Sequence, residues 1–183
     1  MLLNTPAMVT GSPAIQPSLV VLVLCTGNSA RSIMAEALIN HLCTPRIRAF
    51  SAGSTPVGKV NPYALEQIRV RLGDDGSAYE SKGWDKFSDS QSSQVIDIVL
   101  TVCGNAAREA CPAFPGDAIH VHWDFADPAE ASGSTANIQS AFSATFLEMQ
   151  ARIESLMKLP LDRLSTLDVS KALLEISRNG NAC

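Results

Sequence analysis

An unbroken apolar run, Val20-Val21-Leu22-Val23-Leu24, ends at Cys25 and predicts a strand buried on both faces. The period then changes: Ile33-Met34-Ala35-Glu36-Ala37-Leu38-Ile39 predicts a helix, separated from the strand by a short polar loop. Ile47 to Ala52 predicts a second strand closed by Gly53, and Pro56 to Pro62, with Gly58 and Lys59, predicts a loop. Asn61-Pro62 marks a second helix start, Asn as cap and Pro in the first helical position, with Ala64, Leu65, Ile68 and Leu72 as its apolar face. Residues 73–94 are polar and turn-rich around a short segment from Trp84 to Phe87, whose aromatics predict packing. Val95 to Val102 and Ala118 to His122 predict the third and fourth strands. From Ser134 to Lys158, Ile138, Phe142, Phe146, Met149, Ile153 and Leu156 recur at helical spacing, which predicts a long closing helix. A further helix is predicted from about Leu167 to Ile176.

Strands that alternate with helices imply a three-layer α/β fold, a four-stranded parallel sheet with helices on both faces. The length of 183 residues and the 46% hydrophobic content suit a single such domain. Its expected limits are residues 18–160, preceded by a flexible leader over 1–17 rich in Pro and small polar residues, and followed by a helical tail over 161–183. A net charge of −4 argues against nucleic acid or an anionic membrane as partner, so an anionic substrate has to be drawn in locally. With no apolar run near the ~20 residues of a membrane span and no positively charged start of a signal peptide, the expected location is cytoplasmic. Five cysteines, an odd number, favour reduced thiols over a disulfide framework.

The chemistry concentrates in Cys25-Thr26-Gly27-Asn28-Ser29-Ala30-Arg31-Ser32. A cysteine at a strand's carboxyl end, a Gly-Asn pair able to take unusual backbone angles, and an arginine at a helix start gather amide N–H groups, a helix dipole and a guanidinium around one point. Such a point suits a tetrahedral oxyanion held against sulfur. A thiol there falls from ~8.5 into roughly the 3.5–7.5 range, so a Cys25 thiolate is expected at neutral pH. Arg31 supplies planar donors for two anion oxygens, and Ser32 can donate to the sulfur. Ligands of an open parallel sheet bind beyond the carboxyl ends of its strands, where Cys103 and Asp127 also fall. His41, His120 and His122 lack the spacing of a zinc site and are expected to be structural or solvated.

This loop resembles the phosphate loop of the low-molecular-weight protein tyrosine phosphatase superfamily, and Leu24-Cys25-Thr26-Gly27-Asn28-Ser29 with Arg31-Ser32 and Met34-Ala35-Glu36 is closest to its arsenate reductase branch. Phe50-Ser51-Ala52-Gly53, Thr101-Val102-Cys103, Cys111-Pro112, His122-Trp123 and Asp127-Pro128-Ala129 extend the likeness over residues 19 to about 158. The resemblance implies the phosphotyrosine protein phosphatase I-like fold, strand order 2-1-3-4, and a redox enzyme that reduces arsenate to arsenite. Cys25 would be the nucleophile, Thr26 to Ser32 the oxyanion cradle, and Asp127 the acid for the leaving oxygen. Cys103 would attack Cys25, and Cys111 would carry the resulting disulfide outward. Strands about 4.8 Å apart make a Cys25–Cys103 bond plausible. A helical 104–110 would hold Cys103 and Cys111 some ~12 Å apart, so that segment would have to unwind.

Two departures bear on the reductant: Ala30 stands where several relatives carry another loop cysteine, and the Cys103-to-Cys111 spacing is one residue longer than in the best-understood relay. The external thiol partner therefore stays open between thioredoxin and glutaredoxin with glutathione, or mycothiol. No bound cofactor is required, although some relatives bind potassium near the loop, and Asn28, Glu36, Ser51 and Asp85 match those positions. A phosphatase for phosphate monoesters would use the same Cys25, Arg31 and Asp127, but Ala129 follows Asp127-Pro128 where those phosphatases have a tyrosine. A non-catalytic oxyanion-binding module is the third alternative; it needs the loop amides but neither Cys25 nor Asp127.

Overall fold

The computed structural model describes residues 19–88, 92–107, 112–161 and 163–179. The expected leader, Cys111 and Cys183 lie outside the described residues. Four parallel strands, β1 (Leu19–Cys25), β2 (Ile47–Gly53), β3 (Ile98–Thr101) and β4 (Ile119–His122), form one sheet in the order β2-β1-β3-β4. The α-helices are α1 (Arg31–Cys43), α2 (Pro62–Leu72), α3 (Thr135–Met157) and α4 (Thr166–Asn179). The parallel sense is the one the alternation of strands and helices predicted, and the order is the one the resemblance implied.

Alternation along β1 divides the core. Val21, Val23 and Cys25 face a large cluster that takes in the buried sides of all four helices, including Met34, Leu38, Ile68, Phe142, Phe146 and Leu173. Val20, Leu22 and Leu24 face a smaller cluster closed by Ile96, Phe114 and Phe87, the last from a short 3₁₀ helix (Trp84–Phe87). Helix α1, central to the larger cluster, is buried along nearly its whole length, which explains its lack of a polar stripe.

The predicted boundaries hold where caps define them. Asn61 accepts from Tyr63 N at 2.9 Å to start α2, and Ser134 accepts from Asn137 N at 3.2 Å to start α3. Strand β3 is shorter than its Val95–Val102 apolar run. Val95 is exposed, Ile96 N donates to Pro115 O, and the Asp97 side chain, accepting from Val20 N at 2.7 Å, replaces a backbone ladder bond. The tail is ordered as α4: Trp123 Nε1 donates to Leu173 O at 3.0 Å and Ser177 Oγ to His122 O at 2.8 Å, pinning it to the end of β4.

Candidate active site

Strand β1 and helix α1 are joined by the five residues Thr26 to Ala30. Their carbonyls are drawn to one side, since Thr26 O accepts from Thr55 N at 3.0 Å, Gly27 O from Val57 N at 3.0 Å and Ser29 O from Asn61 N at 2.8 Å. The concave side is left to N–H groups, and Asn28 N points at Cys25 Sγ, 3.1 Å away. Asn28 carries the turn with a φ of 43°, in the left-handed region that asparagine tolerates. Gly53, the partner of Cys25 in β2, makes room for it: a Cβ there would lie 2.5 Å from Thr26 O and 3.0 Å from Asn28 N.

Cys25 Sγ is 2.9 Å from Ser32 Oγ in the first turn of α1. Burial pushes the Cys25 thiol up, while hydrogen bonds from Ser32 and Asn28 pull it down and the charge of nearby Cys103 opposes ionisation. The upward direction corrects the expected resting thiolate. Its cause is burial, which outweighs the donors around the sulfur; the Arg31 guanidinium is engaged elsewhere, Nη1 donating to Phe125 O at 3.1 Å and Nη2 pairing with Asp127 Oδ2. Asp127 projects from the extended chain after β4, its other oxygen accepting from Ala129 N at 3.0 Å. Arginine and carboxylate are thus paired with each other beside the loop.

A second thiol adjoins the loop. Cys103, just beyond β3, is buried, its sulfur 3.6 Å from Thr26 Oγ1 and accepting from Ala106 N at 3.4 Å. Cys25, Cys43 and Cys103 are all free. Residues 104–107 form a turn; whether the chain onward to Cys111 is helical falls outside the described residues.

Behind the loop the Asn28 amide is fully used. Its Nδ2 donates to Ser32 Oγ and to Ser51 Oγ, both at 2.8 Å, and its Oδ1 accepts from Lys82 N at 2.8 Å. Ser51 donates onward to Glu36 Oε2 at 2.5 Å, and Lys82 Nζ lies 4.0 Å from that same oxygen. Burial pushes the Glu36 carboxyl up, countered first by the Lys82 charge. These residues do not fit a potassium ion: Asn28 turns its NH₂, not its oxygen, toward Ser51, and the cation beside Glu36 is an ammonium. Asp85, the fourth candidate, has its carboxylate over Gly83. Among the described residues no group of three or more His, Cys, Asp or Glu side chains could hold a metal.

Sequence reasoning missed Lys82, Gly53 and Arg152. Lys82 carried no signal, Gly53 its place at a strand end and in the Phe50-Ser51-Ala52-Gly53 motif but no role, and Arg152 a clear one: it falls three residues after Met149 and four before Leu156 on the apolar stripe of α3.

A parallel sheet whose first strand ends in a buried cysteine, followed by an amide-lined loop and an arginine at the head of a helix, defines an α/β protein built around a cysteine loop of the kind that suits an oxyanion. Low molecular weight phosphotyrosine protein phosphatase is the family that matches, over residues 20–167. An arsenate reductase of Halalkalibacterium halodurans is 37% identical over 136 residues, spanning 74% of this chain and 93% of that protein. The crystal structure of an arsenate reductase from Archaeoglobus fulgidus superposes with a TM-score of 0.58 at 24% identity, covering 76% of this chain and 99% of that one. A low molecular weight protein tyrosine phosphatase from T. tengcongensis gives 0.56 at 21%, covering 80% and 99%. The chain belongs to the low molecular weight phosphotyrosine protein phosphatase family.

Proposed function

We propose that this chain is a thiol-dependent arsenate reductase, with Cys25 as nucleophile. The observation that carries the reading is the second thiol: Cys103 lies against Thr26 of the oxyanion loop, and a phosphatase has no use for a thiol there. Arsenate enters the loop and takes Arg31 from Asp127. The Cys25 sulfur attacks arsenic, shedding its proton, and Asp127 delivers a proton to the departing oxygen. A cysteinyl-arsenate adduct and water result. Cys103 sulfur then attacks Cys25 sulfur; the As–S bond breaks with its electron pair going to arsenic, so arsenic(V) becomes arsenic(III) and leaves as arsenite. The two thiols are oxidised to a Cys25–Cys103 disulfide. Attack by Cys111 on Cys103 would free Cys25 and present a Cys103–Cys111 disulfide to an external dithiol such as thioredoxin. Glutaredoxin with glutathione, or mycothiol, would act instead by attacking the adduct directly.

Free buried thiols and an external thiol reductant suit the reducing cytoplasm. No helix among the described residues is long and apolar enough to cross a membrane. The test is arsenite release by purified protein with each thiol system, beside hydrolysis of an aryl phosphate. Cys103→Ser should leave ester hydrolysis nearly unchanged and abolish arsenite release with thioredoxin. Full multiple turnover by Cys103→Ser with glutathione or mycothiol would replace the internal relay by direct attack on the adduct. Ester hydrolysis with no arsenite release under any reductant would make the chain a phosphatase.

A further inference from the structure

Helix α3 turns an apolar stripe toward the core, and in that stripe stands Arg152, only 3% exposed. An arginine taken out of water is held at a loss unless its donors are met, and an apolar side chain of similar volume would usually serve stability as well or better. The contacts of Arg152 converge on the segment before Asp127. Nη1 donates to Asp124 O at 3.1 Å, the guanidinium carbon lies 4.3 Å from the centroid of the Phe125 ring, and Nη2 pairs with Glu148 Oε1 at 2.6 Å one turn back. Thr145, also buried on α3, donates its hydroxyl to Ala126 O at 3.5 Å, and Arg31 donates to Phe125 O. Three consecutive carbonyls leading to Asp127 are therefore each held by a side chain, and Phe125 is gripped by two guanidiniums, one on its ring and one on its carbonyl.

We propose that Arg152 is a positioning residue for Asp127: by stacking on Phe125 and hydrogen-bonding Asp124 it fixes the backbone from which the acid projects. The inference rests on the reading of Asp127 as the proton donor given above. Helix α3 thereby controls the chemistry without reaching the substrate. Only a planar, forked cation can cover an aromatic face and reach a carbonyl beyond its edge, so Lys is no substitute.

The test is hydrolysis of two aryl phosphates, one with a good leaving group (4-nitrophenol) and one with a poor one (phenol), because a misplaced acid penalises the poor one selectively. Arg152→Met and Arg152→Lys should lower kcat for phenyl phosphate about 10-fold more than for 4-nitrophenyl phosphate. In an Asp127→Asn background the same changes should add no further selective loss. Equal loss on both esters, or a selective loss that persists without Asp127, would reduce Arg152 to a structural residue and overturn the proposal. No selective loss in Asp127→Asn itself would overturn the Asp127 reading and this inference with it. Should Arg152→Met fail to fold, Phe125→Leu, which removes the stack but keeps both arginines, and Thr145→Val carry the same comparison. If the chain hydrolyses neither ester, the cycle is read on arsenite release, where additivity of Arg152→Met with Asp127→Asn rejects the proposal; absence of both activities rejects it together with the proposed function.

Discussion

Replacing Gly53 by Ala adds one methyl group at the place where the oxyanion loop crosses β2. The new Cβ would stand 2.5 Å from Thr26 O and 3.0 Å from both Asn28 N and Asn28 Cβ. Comfortable contact needs roughly 3.3–3.6 Å between carbon and oxygen, so the loop must retreat by about 0.8 Å or more. It cannot retreat freely, because Thr26 O is held by Thr55 N at 3.0 Å and Asn28 by three side-chain hydrogen bonds. Overpacking of this kind costs ~1–3 kcal/mol, and loss of the Thr26 bond adds ~0.5–1.5 kcal/mol. The sum of about 1.5–4.5 kcal/mol leaves a domain of this size folded but lowers its Tm by roughly 3–18 °C. A displacement approaching 1 Å at the loop should also cut turnover by about 100-fold. Calorimetry and arsenite release on the same preparation check both numbers. A Gly53→Ala protein with unchanged Tm and turnover would refute the idea that β2 braces the loop through this close approach.

Asp127→Asn removes the carboxylate that competes for Arg31, so phosphate should protect Cys25 from alkylation at up to about fivefold lower concentration while turnover falls; weaker protection would mean that Arg31 is not released to the anion. Lys82→Met leaves Glu36 buried beside no cation and should cost about 3–5 kcal/mol in denaturant unfolding, with much of it recovered in a Lys82→Met, Glu36→Gln double variant. A double variant as unstable as the single one would show that the lysine acts through its stem and not its charge. At high pH, Cys43 gives a separate signal: burial pushes its thiol up to about 11 from an ordinary 9.0, with Arg46 pulling the other way. The folded protein thus holds that proton more tightly, and the stability this supplies is fully present below about pH 9 and lost as pH rises through about 11. Cys43→Ala should flatten this alkaline fall in unfolding midpoint; the same slope in the variant would assign it to other groups.

Period and punctuation carried most of the fold. Strand β1 was legible because five apolar residues in a row permit little else between a proline-broken stretch and a helix, and α2 and α3 because Asn61 and Ser134 cap them. The overlong reading of β3 has the opposite cause: Val95 and Ile96 have the right character for a strand, but a carboxylate at Asp97 takes over a ladder bond, a tertiary event that no local pattern announces. At the loop, residue types fixed which groups meet, and Ser32 does lie against the sulfur. What they could not fix was the partner of Arg31. The expected thiolate weighed a helix start and a guanidinium but not burial, which pushes the Cys25 thiol up, and the guanidinium is held by Asp127, distant in the chain. Lys82 was illegible for a related reason: it matters through what it touches across the fold, whereas Arg152 announced its burial by its place on the apolar stripe of α3 but not its partners.

Helix α4 bears on the molecule's behaviour in a crowded solution. A sheet ordered β2-β1-β3-β4 ends in a strand whose outer edge has no partner strand, and a bare edge of alternating character invites another chain to extend it. The last carbonyl of β4, at His122, is instead occupied by Ser177, while Leu173 and Val169 of α4 are buried in the adjoining core and Trp123 is tethered to the helix backbone. The segment that lies mostly beyond the matched family region therefore serves as a bumper on one edge of the sheet. Cutting the chain before Thr166 would leave the oxyanion loop's own hydrogen bonds intact and turn the far side of the protein into a template for self-association.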